Sequence, residues 1–140
     1  MKMHVGGAWV DAAETIDVLN PFDGSVVDTV PRSTMEDVQK ALSTAEKAAK
    51  QVAQMTGYER YEILHRASEL MVERAGELSK IISMEEGKPI SEADMEVSRA
   101  TEIIALSAEE AKRLGGEVIP LDGAPGVRDK IGFTLRVPCG

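Results

Sequence analysis

The 140-residue sequence has one cysteine, two histidines, few aromatic residues and a shortage of positive charge, and each scarcity removes a class of function. A lone thiol, Cys139, allows no internal disulfide and suits a reducing cytosol. His65 has no second ligand at i+4 on its predicted helix, and His4 lies in a predicted terminal strand, so imidazole metal binding is not expected. A catalytic role for His65 is disfavoured too, since a general base needs a defined partner. No run approaches the roughly 18 apolar residues needed to span a bilayer. The opening Met1-Lys2-Met3-His4-Val5-Gly6-Gly7 lacks the apolar core of a secretory signal. A net charge of −8 argues against nucleic-acid binding, which concentrates Lys and Arg on one face. Aromatics are 4% of the residues (Trp9, Phe22, Tyr58, Tyr61, Phe133), so the core must be built from Leu, Ile, Val, Met and Ala.

Glycine is present but in the wrong order for a phosphate cradle. A dinucleotide loop runs strand, glycine turn, helix N-terminus, so that backbone N–H groups face the pyrophosphate. Here Gly115-Gly116 ends a predicted helix, and Gly123 and Gly126 lead into a predicted strand. No cofactor-binding residue is therefore expected in this segment.

What is there reads as strands followed by long helices. Residues 15–19 form a β-type run closed by Asn20-Pro21, Asp23-Gly24 signals a turn, and residues 25–30 return as a second strand. A weaker strand fits residues 7–10. Ser33-Thr34-Met35-Glu36 has the form of a capping box with Ser33 as cap, ahead of Val38, Ala41, Leu42, Ala45, Ala48, Ala49 and Val52 at helical spacing. Thr56-Gly57-Tyr58-Glu59 opens a second helix, with a break expected near Gly76 and a stop at Gly87. After Lys88-Pro89 a long helix is predicted over residues 91–114, then a Gly/Pro-rich loop and a strand over residues 130–137.

The candidate reactive groups are few. Cys139 lies between Pro138 and Gly140 with no histidine or helix start to lower its pKa, so the structural reading of this thiol is favoured. The long helix carries one apolar stripe of Ala93, Val97, Ala100, Ile104, Ala108 and Ala111. Met95, Ile103 and Leu106 form a second, interrupted by Arg99. A helix apolar on two sides is substantially buried, so Arg99 is expected to be buried or half-buried. Two readings stay open: an arginine paired with a neighbouring carboxylate or snorkelling to the edge, and a fixed cation awaiting an anionic ligand.

Several of these residues run in a familiar order. Asn20-Pro21 with Gly24, Arg60 with Ile63-Leu64, Glu86-Gly87-Lys88-Pro89 followed by Glu96-Val97, Ala108-Glu109-Glu110-Ala111, and the closing residues 133–140 together resemble the start of NAD(P)-dependent aldehyde dehydrogenases. The pattern is similar to the lactaldehyde, non-phosphorylating glyceraldehyde-3-phosphate and phosphonoacetaldehyde subgroups. It departs from many members at Lys50-Gln51-Val52-Ala53, where an aromatic is common. The resemblance implies an α/β enzyme with a Rossmann-type cofactor domain, a catalytic domain and an oligomerisation hairpin. A cysteine in such enzymes attacks the aldehyde, hydride passes to NAD or NADP, and water releases the acid from the thioester. The family's nucleophile, base, oxyanion-hole asparagine and cofactor loops lie downstream of this stretch, and Cys139 matches none of them.

Two family positions do map here. Glu96-Val97-Ser98-Arg99 matches a pattern whose arginine helps hold the substrate's phosphate, phosphonate or comparable polar group. The carbonyls of Val18 and Leu19 with the carboxylate of Glu85 match a structural monovalent-cation site, although Glu85 is equally well an ordinary acidic residue before a helix stop. The fold class implied is α/β: an N-terminal β-hairpin, a bundle of long helices and a C-terminal strand, part of an incomplete aldehyde dehydrogenase fold. Residues 1–120 would pack on a cofactor domain and residues 121–140 would begin an oligomerisation strand meeting a second subunit of a homodimer or homotetramer. An end on an unpaired strand edge leads to the expectation that the chain is truncated, and so inactive alone. The other reading is a non-catalytic interaction or oligomerisation module derived from the family.

Overall fold

In the computed structural model, which describes residues 1–137, two hairpins come first. β1 (Met3–Val5) and β2 (Ala8–Val10) are joined by Gly6-Gly7, both at positive φ (62° and 84°), the conformation that a tight two-residue hairpin turn asks of glycine. β3 (Thr15–Leu19) pairs antiparallel with β4 (Val26–Pro31), close to the strands expected from the sequence. Their turn is held by short polar side chains: Asn20 Oδ1 accepts from the Phe22 amide and Asp23 Oδ1 from the Ser25 amide, each at 3.0 Å. The ladder slips between Val18 and Leu19, leaving Val27 as the extra residue of a bulge.

Four helices follow: α1 (Met35–Gln54), α2 (Gly57–Glu73), α3 (Ala75–Glu86) and α4 (Ile90–Ala111). Both α1 and α2 start on reciprocal capping boxes. The second is the expected Thr56–Glu59 pair. The first is shifted by one residue from the expected Ser33–Glu36 pair to Thr34–Asp37, which offers the same hydroxyl and carboxylate one step later. The break between α2 and α3 falls at Arg74, which leaves helical geometry (φ −109°, ψ 15°), two residues before the expected Gly76. Gly87, in the left-handed region, stops α3 as expected. α4 ends at Ala111 rather than residue 114, because the Lys112 and Arg113 amides turn back to the Glu109 and Glu110 carbonyls with three-residue spacing.

The core is a seam of small residues along α4. Ala93, Val97, Ala108 and Ala111 are buried, and α4 packs there against α2 and α3. Small side chains let helix axes approach closely, and Gly57 shows how closely: a Cβ there would lie 2.8 Å from the Ala111 carbonyl oxygen. Ser68 and Ser79 are buried on α2 and α3. Ser68 donates to the His65 carbonyl, whereas Ser79 Oγ has no partner among the described residues.

The last sheet corrects the expected single strand over residues 130–137. β6 spans only Ile131–Phe133 and pairs antiparallel with β5 (Val118–Pro120), a strand too short and too close to a proline for the sequence pattern to reveal. Beyond it, the Thr134 amide donates to the Glu117 carbonyl and the Glu117 amide to Thr134 Oγ1, both at 2.9 Å. Cys139 lies outside the described residues.

Candidate functional site

The site is best assembled from α4 outward. Only one of its two apolar stripes is buried: Met95, Ile103 and Leu106 are 56%, 61% and 65% exposed. Arg99, on the same face, is exposed as well, which corrects the expectation of a buried or half-buried guanidinium. The physical reason is that the small-residue seam takes all the packing that α2 and α3 supply. The Met95/Ile103 face has no covering element among the described residues. Arg99 Nε donates to the Met95 carbonyl at 3.3 Å, and among the described residues no carboxylate stands within ion-pair distance of it. The carboxylate-paired reading of this arginine therefore loses its support within the described chain, while an arginine snorkelling to the helix edge and a cation awaiting a ligand both fit the exposed guanidinium.

The corner between α3 and α4 holds a cluster that no role was assigned from sequence. Lys88 Nζ bridges the carboxylates of Glu86, at 2.7 Å, and Glu96. Hydrogen bonds from Lys88 to Glu86 and then Glu96 raise its pKa above the usual lysine value. Ser83 Oγ donates to the Lys88 carbonyl at 2.8 Å. The sequence signal was Glu86-Gly87-Lys88 ahead of Glu96, and the eight-residue step from Lys88 to Glu96 matches no helical pairing, because extended Pro89 sets Lys88 off the start of α4.

The three cation-site candidates stand on two elements, the end of β3 and the last turn of α3. Val18 and Leu19 close β3 beside the bulge, and Glu85 lies exposed in the last turn of α3. The hairpin turn and the end of α3 adjoin closely: a Cβ on Gly87 would stand 2.8 Å from Pro21 Cγ. A cavity of about 360 Å³ lies there, lined by residues that include Asn20, Phe22, Ser83 and Lys88 but by none of the three candidates. Two carbonyls and a carboxylate make an all-oxygen donor set, which fits a hard cation. Among the described residues, no group of three His, Cys, Asp or Glu side chains converges as a metal site.

Elsewhere the chemistry is sparse. A concavity of about 640 Å³ lies where the end of α1 meets α2 and α4. Val52, Met55, Ile63, Leu64, Ile103 and Leu106 line most of it. No histidine or cysteine lines it, and its one hydroxyl, Ser107 Oγ, donates to the Ile103 carbonyl at 2.8 Å, so no activated nucleophile is present. His65 stacks on Tyr61 (ring centroids 5.1 Å apart) on the exposed side of α2, with Glu69 3.6 Å away and Lys112 Nζ over the Tyr61 ring. The positive-φ glycines at 6, 7, 24 and 126 sit in turns between strands or in a loop, and Gly87 follows a helix, so none makes a strand–glycine–helix cradle among the described residues.

Comparison with known proteins decides the family. The family model described as "Aldehyde dehydrogenase family" matches residues 9–140. The chain belongs to the aldehyde dehydrogenase family. Its curated relatives include 3-sulfolactaldehyde dehydrogenase of Priestia aryabhattai, 39% identical over 138 residues, covering 99% of this chain and 28% of the relative. Lactaldehyde dehydrogenase of Methanocaldococcus jannaschii is 34% identical over 138 residues, with the same coverage of both chains. Among solved structures, aldehyde dehydrogenase 21 from Physcomitrella patens, in complex with the reaction product succinate, superposes with a TM-score of 0.83. It is 34% identical, and the match covers 89% of this chain and 26% of that one. The chain thus spans 28% of the length of the curated relatives just named. Its hairpins, helices and β5–β6 pair are a part of the aldehyde dehydrogenase fold.

Proposed function

We propose that this chain is the N-terminal scaffold of an oxidoreductase that converts a small polar or anionic aldehyde to its carboxylic acid with NAD or NADP, and that Arg99 contacts the polar end of the substrate. The observation that carries the proposal is the exposed, carboxylate-free guanidinium on the uncovered face of α4, within Glu96-Val97-Ser98-Arg99. A planar guanidinium can hold a carboxylate, sulfonate or phosphate through two parallel hydrogen bonds, and flanking apolar surface strengthens them by lowering the local dielectric. The relatives support the class: one is named for a sulfonated aldehyde, one for a hydroxyaldehyde, and the Physcomitrella structure holds a dicarboxylate product. In this reading the nucleophilic cysteine, the base and the cofactor loops belong to other parts of a family-length enzyme. Chemistry there runs through the thiohemiacetal and thioester of the family.

The rest of the segment is then support. Residues 1–120 pack on the cofactor domain, which would cover Val38 and Leu42 of α1, both now exposed. Residues 121–140 begin the oligomerisation element. β6, with Ile131 81% and Phe133 69% exposed, would meet a second subunit of a homodimer or homotetramer. The Val18 and Leu19 carbonyls and Glu85 would hold a structural monovalent cation. We assign the enzyme to the cytoplasm on its lone thiol; among the described residues no helix is long and apolar enough to cross a membrane.

The test is aldehyde-dependent reduction of NAD or NADP by a family-length enzyme carrying this segment. A short aldehyde ending in a carboxylate is compared with a neutral one of similar size. The proposal expects a lower KM for the anionic aldehyde and no turnover by the 140-residue chain alone. Turnover by that chain, or equal KM values for the two aldehydes, would overturn it. The exposed apolar faces favour one other reading, a non-catalytic oligomerisation module, which expects a stable symmetric dimer of the 140-residue chain.

A further inference from the structure

The Lys88 cluster was not absorbed by the functional reading, although Glu86-Gly87-Lys88-Pro89 and Glu96-Val97 stand out in the sequence. α4 begins without a side-chain cap, because Pro89 occupies the cap position. Its start is instead fixed from outside the helix. Lys88 Nζ reaches forward to Glu96 in the second turn of α4 and backward to Glu86 in the last turn of α3. Its side chain is 23% exposed, packed along the corner, while the two carboxylates it bridges are about half exposed. The Lys88 carbonyl accepts from Ser83 Oγ, tying the same residue to α3 at a second point. Arg99 follows Glu96 by three residues, one helical turn along α4.

We propose that Lys88 is a positioning residue: by locking Glu96 to the end of α3 it sets the rotation and height of the first turns of α4, and thereby where the Arg99 guanidinium stands. Lys88 acts in this proposal through Glu96, its ammonium being held by the two carboxylates. The inference rests on the proposed role of Arg99 in holding the polar end of the aldehyde. Ala93 and Val97 hold the first turns of α4 against its neighbours by packing, and the Lys88 bridge adds a polar tie at the same end.

The test is a double-mutant cycle in a family-length enzyme carrying the segment, with Lys88→Met, Arg99→Ala and both together. Each is assayed with an anionic and a neutral aldehyde of similar size. Lys88→Met is expected to raise KM for the anionic aldehyde about fivefold with the neutral one little changed, and to add almost nothing in the Arg99→Ala background, a coupling typical of residues acting through one another. Lys88→Arg, which keeps the charge and both partners within reach, is expected to restore most of the loss. Additive effects of Lys88→Met and Arg99→Ala, or equal losses for both aldehydes, would overturn the positioning role. If Arg99→Ala alone fails to separate the two aldehydes, the reading of Arg99 falls first, and the inference falls with it. Should Lys88→Met be insoluble, Glu96→Gln cuts the same bridge from the other side and carries the same expectations.

Discussion

Gly57→Ala isolates the close approach of α2 and α4, because two effects of opposite sign act at that residue. Replacing a helical glycine by alanine ordinarily stabilises by about 0.5–1 kcal/mol through reduced backbone freedom in the unfolded chain. At Gly57, however, the new Cβ would stand 2.8 Å from the Ala111 carbonyl oxygen and 3.3 Å from Lys112 Cα. A carbon–oxygen contact settles at about 3.3–3.6 Å, so the helices must part by about half an ångström, and both obstructing atoms are backbone that cannot rotate away. Overpacking of this kind costs about 1–3 kcal/mol, which outweighs the propensity gain and leaves a net loss of about 1–2 kcal/mol. Gly76 is the control: it lies in the first turn of α3 with nothing within 4 Å of its would-be Cβ. Gly76→Ala should stabilise by about 0.5–1 kcal/mol. Urea denaturation followed by far-UV circular dichroism reads both variants. Stabilisation of Gly57→Ala by as much as Gly76→Ala would refute the close α2–α4 packing.

Three other perturbations have definite signs. Thr56→Ala should cost about 1 kcal/mol by removing the cap of α2, while Thr56→Ser should be nearly neutral, both read by thermal unfolding. The capping carboxyls of Glu59 and Asp37 are held below their ordinary values, first by the backbone amides and then by the hydroxyls of Thr56 and Thr34. A depressed folded-state value means a contribution that is complete above the ordinary 4.5 and 3.8 and is lost as pH falls through the lower folded values. A Glu59→Gln, Asp37→Asn chain should therefore lose less stability than wild type between neutral and strongly acid pH; parallel acid limbs would contradict the cap assignments. Ser79→Ala removes a buried hydroxyl that has no partner among the described residues, so it should leave the melting temperature unchanged or raised. A fall would reveal a hydrogen bond at that serine.

Local chemistry made much of this fold legible in the sequence. The β3 strand, the Thr56–Glu59 box and the Gly87 stop each rest on residues whose preferences act within four positions, and each stands where expected. The first cap slipped by one residue because Ser33-Thr34 and Glu36-Asp37 offer equivalent hydroxyls and carboxylates in both phases. β5 was invisible because three residues ending in proline carry no period, and its partner lies eleven residues further along. Lys88–Glu96 was invisible because it joins the residue ahead of extended Pro89 to the second turn of α4, a step that no helical pairing covers. The exposure of Arg99 is the instructive miss. An apolar stripe reports that a helix face needs cover, not that the cover lies among neighbouring residues. Here Met95, Ile103 and Leu106 stay uncovered within a chain spanning 28% of its relatives.

The direct test of the central claim is the kinetic signature of Arg99 itself. In a family-length enzyme carrying this segment, Arg99→Ala should raise KM for an anionic aldehyde by about tenfold or more, the size of a lost charge-assisted contact, while a neutral aldehyde of similar size keeps its KM. Equal losses for the two aldehydes would make Arg99 a structural residue and contradict the account.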